Sequence, residues 1–268
     1  TTLLASLIFG VIFLYYGKNS QKKIDFIEQI FLIIVVYLLT ALLITIPFYF
    51  SNNQVTFLNS FFESISGLTG TGFSTIKNIK YVDPTLILWR SSSQWIGGLY
   101  FLFFLNFIFL NKKFNYKMTS LTYSGNSNHS SEENIKNNIL KIFIYYCILS
   151  FIVFSLFSMS DIRLFNSLNI SMTLISGGGF LPTDSLSDII STNFQKLIFT
   201  ISLLLAMFNF YLVFNIFDKK IISREHKEDL YLLFLTLILI ALIYFNKNNG
   251  FDLIISTISS LSNSGLTL

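Results

Sequence analysis

The segment Phe57–Thr75, FLNSFFESISGLTGTGFST, decides how this chain is read. An apolar stretch dotted with hydroxyls runs into a glycine-rich turn, and the pattern returns twice. Leu164–Thr183 reads LFNSLNISMTLISGGGFLPT, and Gly250–Leu268 reads GFDLIISTISSLSNSGLTL. With the last glycines aligned (Gly72, Gly179, Gly265), Phe57-Leu58-Asn59-Ser60 falls on Leu164-Phe165-Asn166-Ser167. Ser64 then meets Ser171 and Thr257, Ser66 meets Thr173 and Ser259, and Thr69 meets Ser176 and Ser262. Self-similarity of this kind marks a repeated structural unit.

Composition says what solvent the unit is built for. Of 268 residues, 53% are hydrophobic and only 12% charged, with 31 Phe and a mean hydropathy of +0.64. A soluble domain carries about 25% charged residues, so the chain reads as an all-α polytopic membrane protein. Three prolines and one cysteine, Cys147 inside an apolar run, exclude a disulfide framework and suggest a buried thiol. The net charge of +4 is spread over the connections between helices. It reports topology, and no nucleic-acid partner is expected. Thr1 in place of an initiator Met and an end at Leu268, just past the third turn, are expected to mark a fragment cut at both ends. Residues 1–16 lack a basic region ahead of them and a small-residue cleavage site after them. They read as the tail of a transmembrane helix and not as a signal peptide.

Apolar segments of the roughly 20 residues needed to cross ~30 Å of hydrocarbon lie at 29–50, 84–110, 138–159, 194–217 and 229–246. The connections between them alternate. Those at 17–28, 111–137 and 218–228 are polar and basic, and hold 12 of the 18 Lys and Arg when Lys141 at a helix edge is included. Those at 51–83, 160–193 and 247–268 hold the glycine turns. The positive-inside rule puts the basic connections in the cytoplasm and all three turns toward the outside. The copies share one orientation, as parallel repeats around an axis along the membrane normal would. Each apolar stretch before a turn is ~12 residues, about 18 Å of helix, and crosses half a bilayer. Such a re-entrant element is tolerated only where it lines a water-filled path or is buried in protein. The chain divides into an N-terminal helix end and loop (1–27), a first repeat (28–115, pore loop 57–75) and a cytoplasmic loop (116–137). A second repeat (138–218, pore loop 164–183) and a partial third (219–268, pore loop 250–268) follow.

Repeated turns of this type suit a cation. An ion leaving water needs its hydration shell replaced by oxygens, and a ring of backbone carbonyls supplies them. Aiming successive carbonyls at one axis takes backbone angles that glycine adopts freely. A pore helix entering from outside points its negative end at the centre. The candidate ion-binding residues are Thr69, Gly70, Thr71 and Gly72; Ser176, Gly177, Gly178 and Gly179; and Ser262, Asn263, Ser264 and Gly265. Thr69, Ser176 and Ser262 either add hydroxyl oxygens or brace the loop. Glu63 is read as the one acid in a pore helix, with Ile170 and Ser256 at its aligned positions. It serves as a structural partner for a basic group such as Arg90 or draws cations to the mouth, the structural role being preferred. His129 and His226 are isolated in polar connections and form no metal site. Tyr123–Asn138, rich in Ser and Asn, reads as a flexible loop.

The run FFESISGLTGTGFST (Phe61–Thr75) resembles the first pore loop of the TrkH/TrkG/KtrB family of bacterial potassium uptake proteins. Arg90-Ser91-Ser92-Ser93-Gln94-Trp95-Ile96-Gly97-Gly98 is similar to that family's R-x-x-x-Q-W-x-G-G. Ile175–Phe180 followed by Asp184 resembles its second loop, and Asn209 sits where TrkH-like proteins often have Asn. The resemblance covers about residues 20–268. It implies four helix–pore helix–helix repeats in one chain, a potassium-channel-like pseudo-tetramer, of which this chain is truncated in the third. It also implies a single-ring selectivity filter, a homodimer, a multi-pass place in the bacterial inner membrane, and a cytoplasmic RCK-type nucleotide-binding regulatory subunit (TrkA-like). Two turns depart from the family pattern: the second has three glycines, and the third ends Ser264-Gly265-Leu266, closer to the family's fourth loop. Glu63, Arg90, Gln94, Trp95 and Asn209 are candidates for structural or gating roles, with packing preferred for Gln94, Trp95, Gly97 and Gly98.

The function expected is K⁺ uptake by channel-like passage in contact with protein carbonyls and membrane lipid, with no cofactor in this chain. The alternatives are a Na⁺- or H⁺-coupled symporter of the same fold and a non-transporting relative. A membrane-embedded enzyme would need a nucleophile–base or paired-carboxylate constellation at membrane depth, and both histidines lie in loops.

Overall fold

The computed structural model describes residues 2–18, 25–51, 56–109, 132–207, 227–244, 250–262 and 264–267. These residues form α1 (Thr2–Gly17), α2 (Phe26–Tyr49), α3 (Phe57–Leu68), α4 (Pro84–Phe109), α5 (Glu132–Ser158), α6 (Leu164–Ile175), α7 (Asn193–Met207), α8 (Lys227–Tyr244) and α9 (Gly250–Leu261), with no strand among them. The three half-length stretches become α3, α6 and α9, each of 12 residues.

Local signals set the boundaries. Asp25 and Glu28 open α2 as a capping box, with the Asp25 N–H donating to Glu28 Oε2 at 3.1 Å. Thr56 caps α3 by accepting from the Asn59 N–H at 3.4 Å. Pro84 stands at the first position of α4, where its missing N–H costs nothing. Two boundaries differ from expectation. The α5 helix begins at Glu132, inside the segment read as a loop, and runs without a break into its apolar part. The α9 helix takes in Asp252 in its first turn, so Glu63 is not the one acid in a half-length helix.

The helices group in the same way along the chain. In the first unit α2, α3 and α4 pack together, in the second α5, α6 and α7, and α8 packs on α9. Between units, α4 lies against α6 and α7 against α9. Each long helix that follows a turn therefore supports the next short helix.

Polarity runs opposite to that of a soluble domain. Ile8, Phe13, Ile27, Phe31 and Leu38 on α1 and α2 are exposed, whereas Ser60, Glu63, Ser64, Arg90, Ser93, Gln94, Ser167, Asn169 and Thr173 are buried. Many of the buried hydroxyls spend their proton on a carbonyl one turn back in the same helix, as Ser64 does on Ser60 and Thr173 on Asn169. Helices α2 and the Ile139–Ser158 part of α5 are each long and apolar enough to cross a membrane. Helix α4 is as long, with 26 residues, but its first half carries Arg90–Gln94, turned inward onto the turns.

Candidate functional site

The glycine turns begin as helix caps. Thr69 ends α3, Gly70 follows with φ +69°, the Gly70 N–H donates to the Gly67 carbonyl, and the Thr71 N–H donates to Ser66. This is a Schellman motif. The second turn repeats it: Gly177 has φ +68°, its N–H donates to Leu174, and the Gly178 N–H donates to Thr173. In the third turn the Ser264 N–H donates to Ser259 over the same span. Gly70 and Gly177 are thus needed to stop a helix. The intermediate position of the third turn, Asn263, lies outside the described residues, as do Asn209, His129 and His226.

The turns meet at their last glycines. A methyl group on Gly72 would sit 2.9 Å from both N and Cα of Gly179, and one on Gly179 would sit 2.8 Å from the Ser264 carbonyl oxygen. The capping glycines show the same progression, Gly70 facing the Ser176 carbonyl and Gly177 the Ser262 carbonyl. Glycine is required for different reasons at the three aligned positions. Gly72 has φ +77° and a crowded neighbour, Gly179 only the crowded neighbour, and Gly265 only a φ of +64° with open space around it. The C-terminal ends of α3, α6 and α9, each the negative pole of its helix, therefore converge on one place.

Side chains decide which oxygens face that place. The hydroxyls of Thr69, Ser176 and Ser262 donate to Ile65, Met172 and Ser259 of their own helices; they brace the turns. Thr69 and Thr71 also share a hydrogen bond of 2.6 Å. Ser66 donates to the Phe73 carbonyl at 2.5 Å, and its counterpart Thr173 donates to the Phe180 carbonyl at 3.0 Å. Both bonds turn the carbonyl after the last glycine back toward the short helix. Sequence alignment paired Ser66 with Thr173, but nothing in it indicated that their hydroxyls reach across the turn.

Glu63, Arg90 and Gln94 form one buried network. Glu63 Oε1 accepts from the Thr75 N–H, Thr75 Oγ1 and Ser74 Oγ, and Oε2 pairs with Arg90 Nε at 3.3 Å. Arg90 donates from Nη2 to Ser74 Oγ at 3.0 Å, and its guanidinium lies 4.2 Å from the centroid of the Phe180 ring. Gln94 Oε1 accepts the Phe180 N–H at 3.2 Å. The Glu63 carboxylate is thus taken up by Arg90 and by Ser74 and Thr75 beyond the first turn. The rest of the R-x-x-x-Q-W-x-G-G segment packs. Trp95 Nε1 donates to Ser150 on α5 at 2.9 Å, and its ring lies 5.1 Å from that of Tyr146. A methyl on Gly97 would run into the Leu68 carbonyl, and one on Gly98 would sit 3.0 Å from Ser176 Cα.

Further ties cross between units. The Asp184 carboxylate accepts the Ile79 N–H at 2.7 Å, joining the outer segments of the first two units. Lys196 at the start of α7 pairs with Asp252 of α9 at 2.7 Å. Among the described residues no group of three or more His, Cys, Asp and Glu is placed to hold a metal.

Known proteins resemble this chain in sequence and fold. The sequence profile of a family described as TrkH, cation transport protein, matches residues 1–247. The chain is 26% identical over 190 residues to an uncharacterized cation transporter of Methanocaldococcus jannaschii, a match covering 66% of this chain and 38% of that protein. It is 26% identical over 99 residues to the Trk system potassium uptake protein TrkH of Salmonella typhimurium, covering 37% of this chain and 20% of that protein. The crystal structure of the potassium transporter TrkH from Vibrio parahaemolyticus superposes with a TM-score of 0.76 at 18% sequence identity, covering 99% of this chain and 57% of that one. The chain thus spans little more than half of the solved relative and shares its all-helical membrane-protein fold. With a profile match over nearly its whole length, the chain belongs to the TrkH family of cation transport proteins.

Proposed function

We propose that this chain supplies part of a K⁺ conduction path, in which ions cross a ring of backbone carbonyls and enter the cell down their electrochemical gradient. The observation that carries this reading is the meeting of Gly72, Gly179 and Ser264 backbone to backbone at the ends of three converging short helices. The names of the Salmonella relative and of the solved structure support K⁺ as the ion. A membrane potential contributes about 2.3 kcal/mol per charge per 100 mV, enough to drive uptake without hydrolysis. In this reading the turns face outward from a multi-pass protein of the bacterial inner membrane. The whole protein acts as a homodimer beside a cytoplasmic nucleotide-binding subunit of the RCK type.

The test is rescue of a K⁺-auxotrophic host at low external K⁺ by the full-length gene, with radioactive rubidium uptake as the direct readout. Rescue is expected from the native sequence. Gly72→Ser is expected to lower K⁺ preference over Na⁺ by at least about tenfold, because a side chain there both strains the backbone and displaces Gly179. Failure of the native gene would remove K⁺ uptake as the function, and equal selectivity of the variant would remove the carbonyl ring.

A further inference from the structure

We propose that Arg90 and Gln94 act as a clamp from the first unit onto the second turn, aiming the Gly179 carbonyl and so helping to set cation discrimination. The inference rests on reading the turns as a carbonyl ring.

The geometry is specific. Arg90 and Gln94 stand one helical turn apart on α4, on the same face, with exposures of 1% and 0%. That face is turned toward Phe180, the residue after Gly179. Gln94 takes the Phe180 N–H at 3.2 Å and Arg90 covers the Phe180 ring at 4.2 Å. Phe180 is itself buried, with its ring 3.4 Å from where a methyl on Gly67 of α3 would lie. Gly178 lies so close to the Gln94 amide that any side chain there would collide with it.

Peptide planarity turns this contact into control of the path. The Phe180 N–H and the Gly179 C=O belong to one trans peptide unit, in which they point in opposite directions. Fixing the N–H on Gln94 therefore directs the Gly179 oxygen away from α4. Thr173 holds the next carbonyl, that of Phe180, from the other side. These two bonds hold the peptide units on either side of Phe180, and neither unit can rotate without breaking its bond. Arg90 extends the clamp to the first turn, since Glu63 joins it to the Thr75 N–H and to Ser74. One buried network thus holds the backbone just beyond Gly72 and just beyond Gly179.

The arrangement carries a cost. Among the described residues Gln94 Nε2 and Arg90 Nη1 are buried donors without a partner, a desolvation cost that accompanies the contacts made by the rest of each side chain. A ring that discriminates ions by carbonyl placement needs supporting residues whose own positions are fixed. Two directional contacts on one residue meet that need.

The experiment compares Na⁺ with K⁺ transport in the full-length protein reconstituted in proteoliposomes, for Gln94→Met, Gln94→Glu, Arg90→Lys and Gly179→Ser. Gln94→Met keeps the volume and loses the acceptor. It is expected to raise the Na⁺/K⁺ transport ratio about tenfold while rubidium flux persists, the scale of one lost buried hydrogen bond. Gln94→Glu keeps an oxygen for the Phe180 N–H and is expected to retain the native ratio. If Gln94→Met does not accumulate, Arg90→Lys asks the same question. It leaves a charge for Glu63, removes the planar contact with Phe180, and is expected to raise the ratio about threefold. A native ratio in Gln94→Met, or in Arg90→Lys where it stands in, together with a shifted ratio in Gly179→Ser, overturns the clamp and leaves the carbonyl ring standing. A native ratio in Gly179→Ser as well overturns both.

Discussion

The first and second turns are joined through buried polar groups, the second and third through apolar ones. Between the first two, Arg90 and Gln94 of α4 reach Phe180 and Glu63 by hydrogen bonds and an ion pair. Between the next two, Ile198, Phe199 and Leu203 of α7 share a buried cluster with Ile255 and Ile258 of α9 and with Leu266 beyond the third turn. The one ion pair there, among the described residues, is Lys196–Asp252 at the rim. Hydrogen bonds weaken steeply with angle, whereas dispersion contacts fill space without fixing orientation. The second turn is therefore held in one orientation and the third by shape. The residues after the last glycine differ accordingly: Phe180 is 2% exposed under Arg90, while Phe73, with no such cover, is 69% exposed.

Stability measurements in detergent sharpen this contrast. The largest loss is expected for Arg90→Met, which leaves the Glu63 carboxylate buried with its charge uncompensated. Breaking one side of such a pair costs about 3–5 kcal/mol, and Glu63→Gln on the same background should recover most of it. A loss under 1 kcal/mol in thermal unfolding would show that the first junction is not held by charge. Leu203→Ala should cost about 2 kcal/mol. Lipid is as apolar as the protein interior, so the transfer contribution fades and the cavity remains. A cost equal to that of Arg90→Met would erase the distinction between the junctions.

Smaller effects test the turns themselves. Ser66→Ala removes the hydroxyl that holds the Phe73 carbonyl and should cost about 1 kcal/mol. It should also release that carbonyl, detectable as a change in the infrared amide band on cation addition. Gly177→Ala should cost about 1 kcal/mol through its positive φ, and Gly177→Asn less, since Asn tolerates that conformation. Lys196→Met should change stability by less than about 0.5 kcal/mol, because the pair is partly exposed and screened. A larger value would mean the rim pair, and not the apolar cluster, holds the second junction.

Much of the fold was legible before any coordinates. The apolar stretch after Phe57 and its two aligned counterparts predicted half-length helices, and α3, α6 and α9 occupy those positions. Length, hydroxyl pattern and glycine placement are local properties, so they survive in one dimension. Gly97 and Gly98 leave no room for a methyl beside Leu68 and Ser176. Other features were hidden. The loop expected up to Asn138 gave way to helix from Glu132, because polar residues continue a helix when its apolar part lies further on. Asp252 lies in the third short helix, and its pairing with Lys196 joins segments too distant in sequence for any local pattern to show it.

Taken alone, the sequence determined that three short helices end in glycine turns, since helix length, caps and left-handed backbone are written in neighbouring residues. Only the tertiary structure decided which glycine meets which turn, and that Ser66 and Thr173 bend back on Phe73 and Phe180. It also decided that Arg90 and Gln94 serve the second turn as well as the first. The physical reason is that directional contacts between distant segments depend on how α4 packs against α6, and no local pattern encodes that docking.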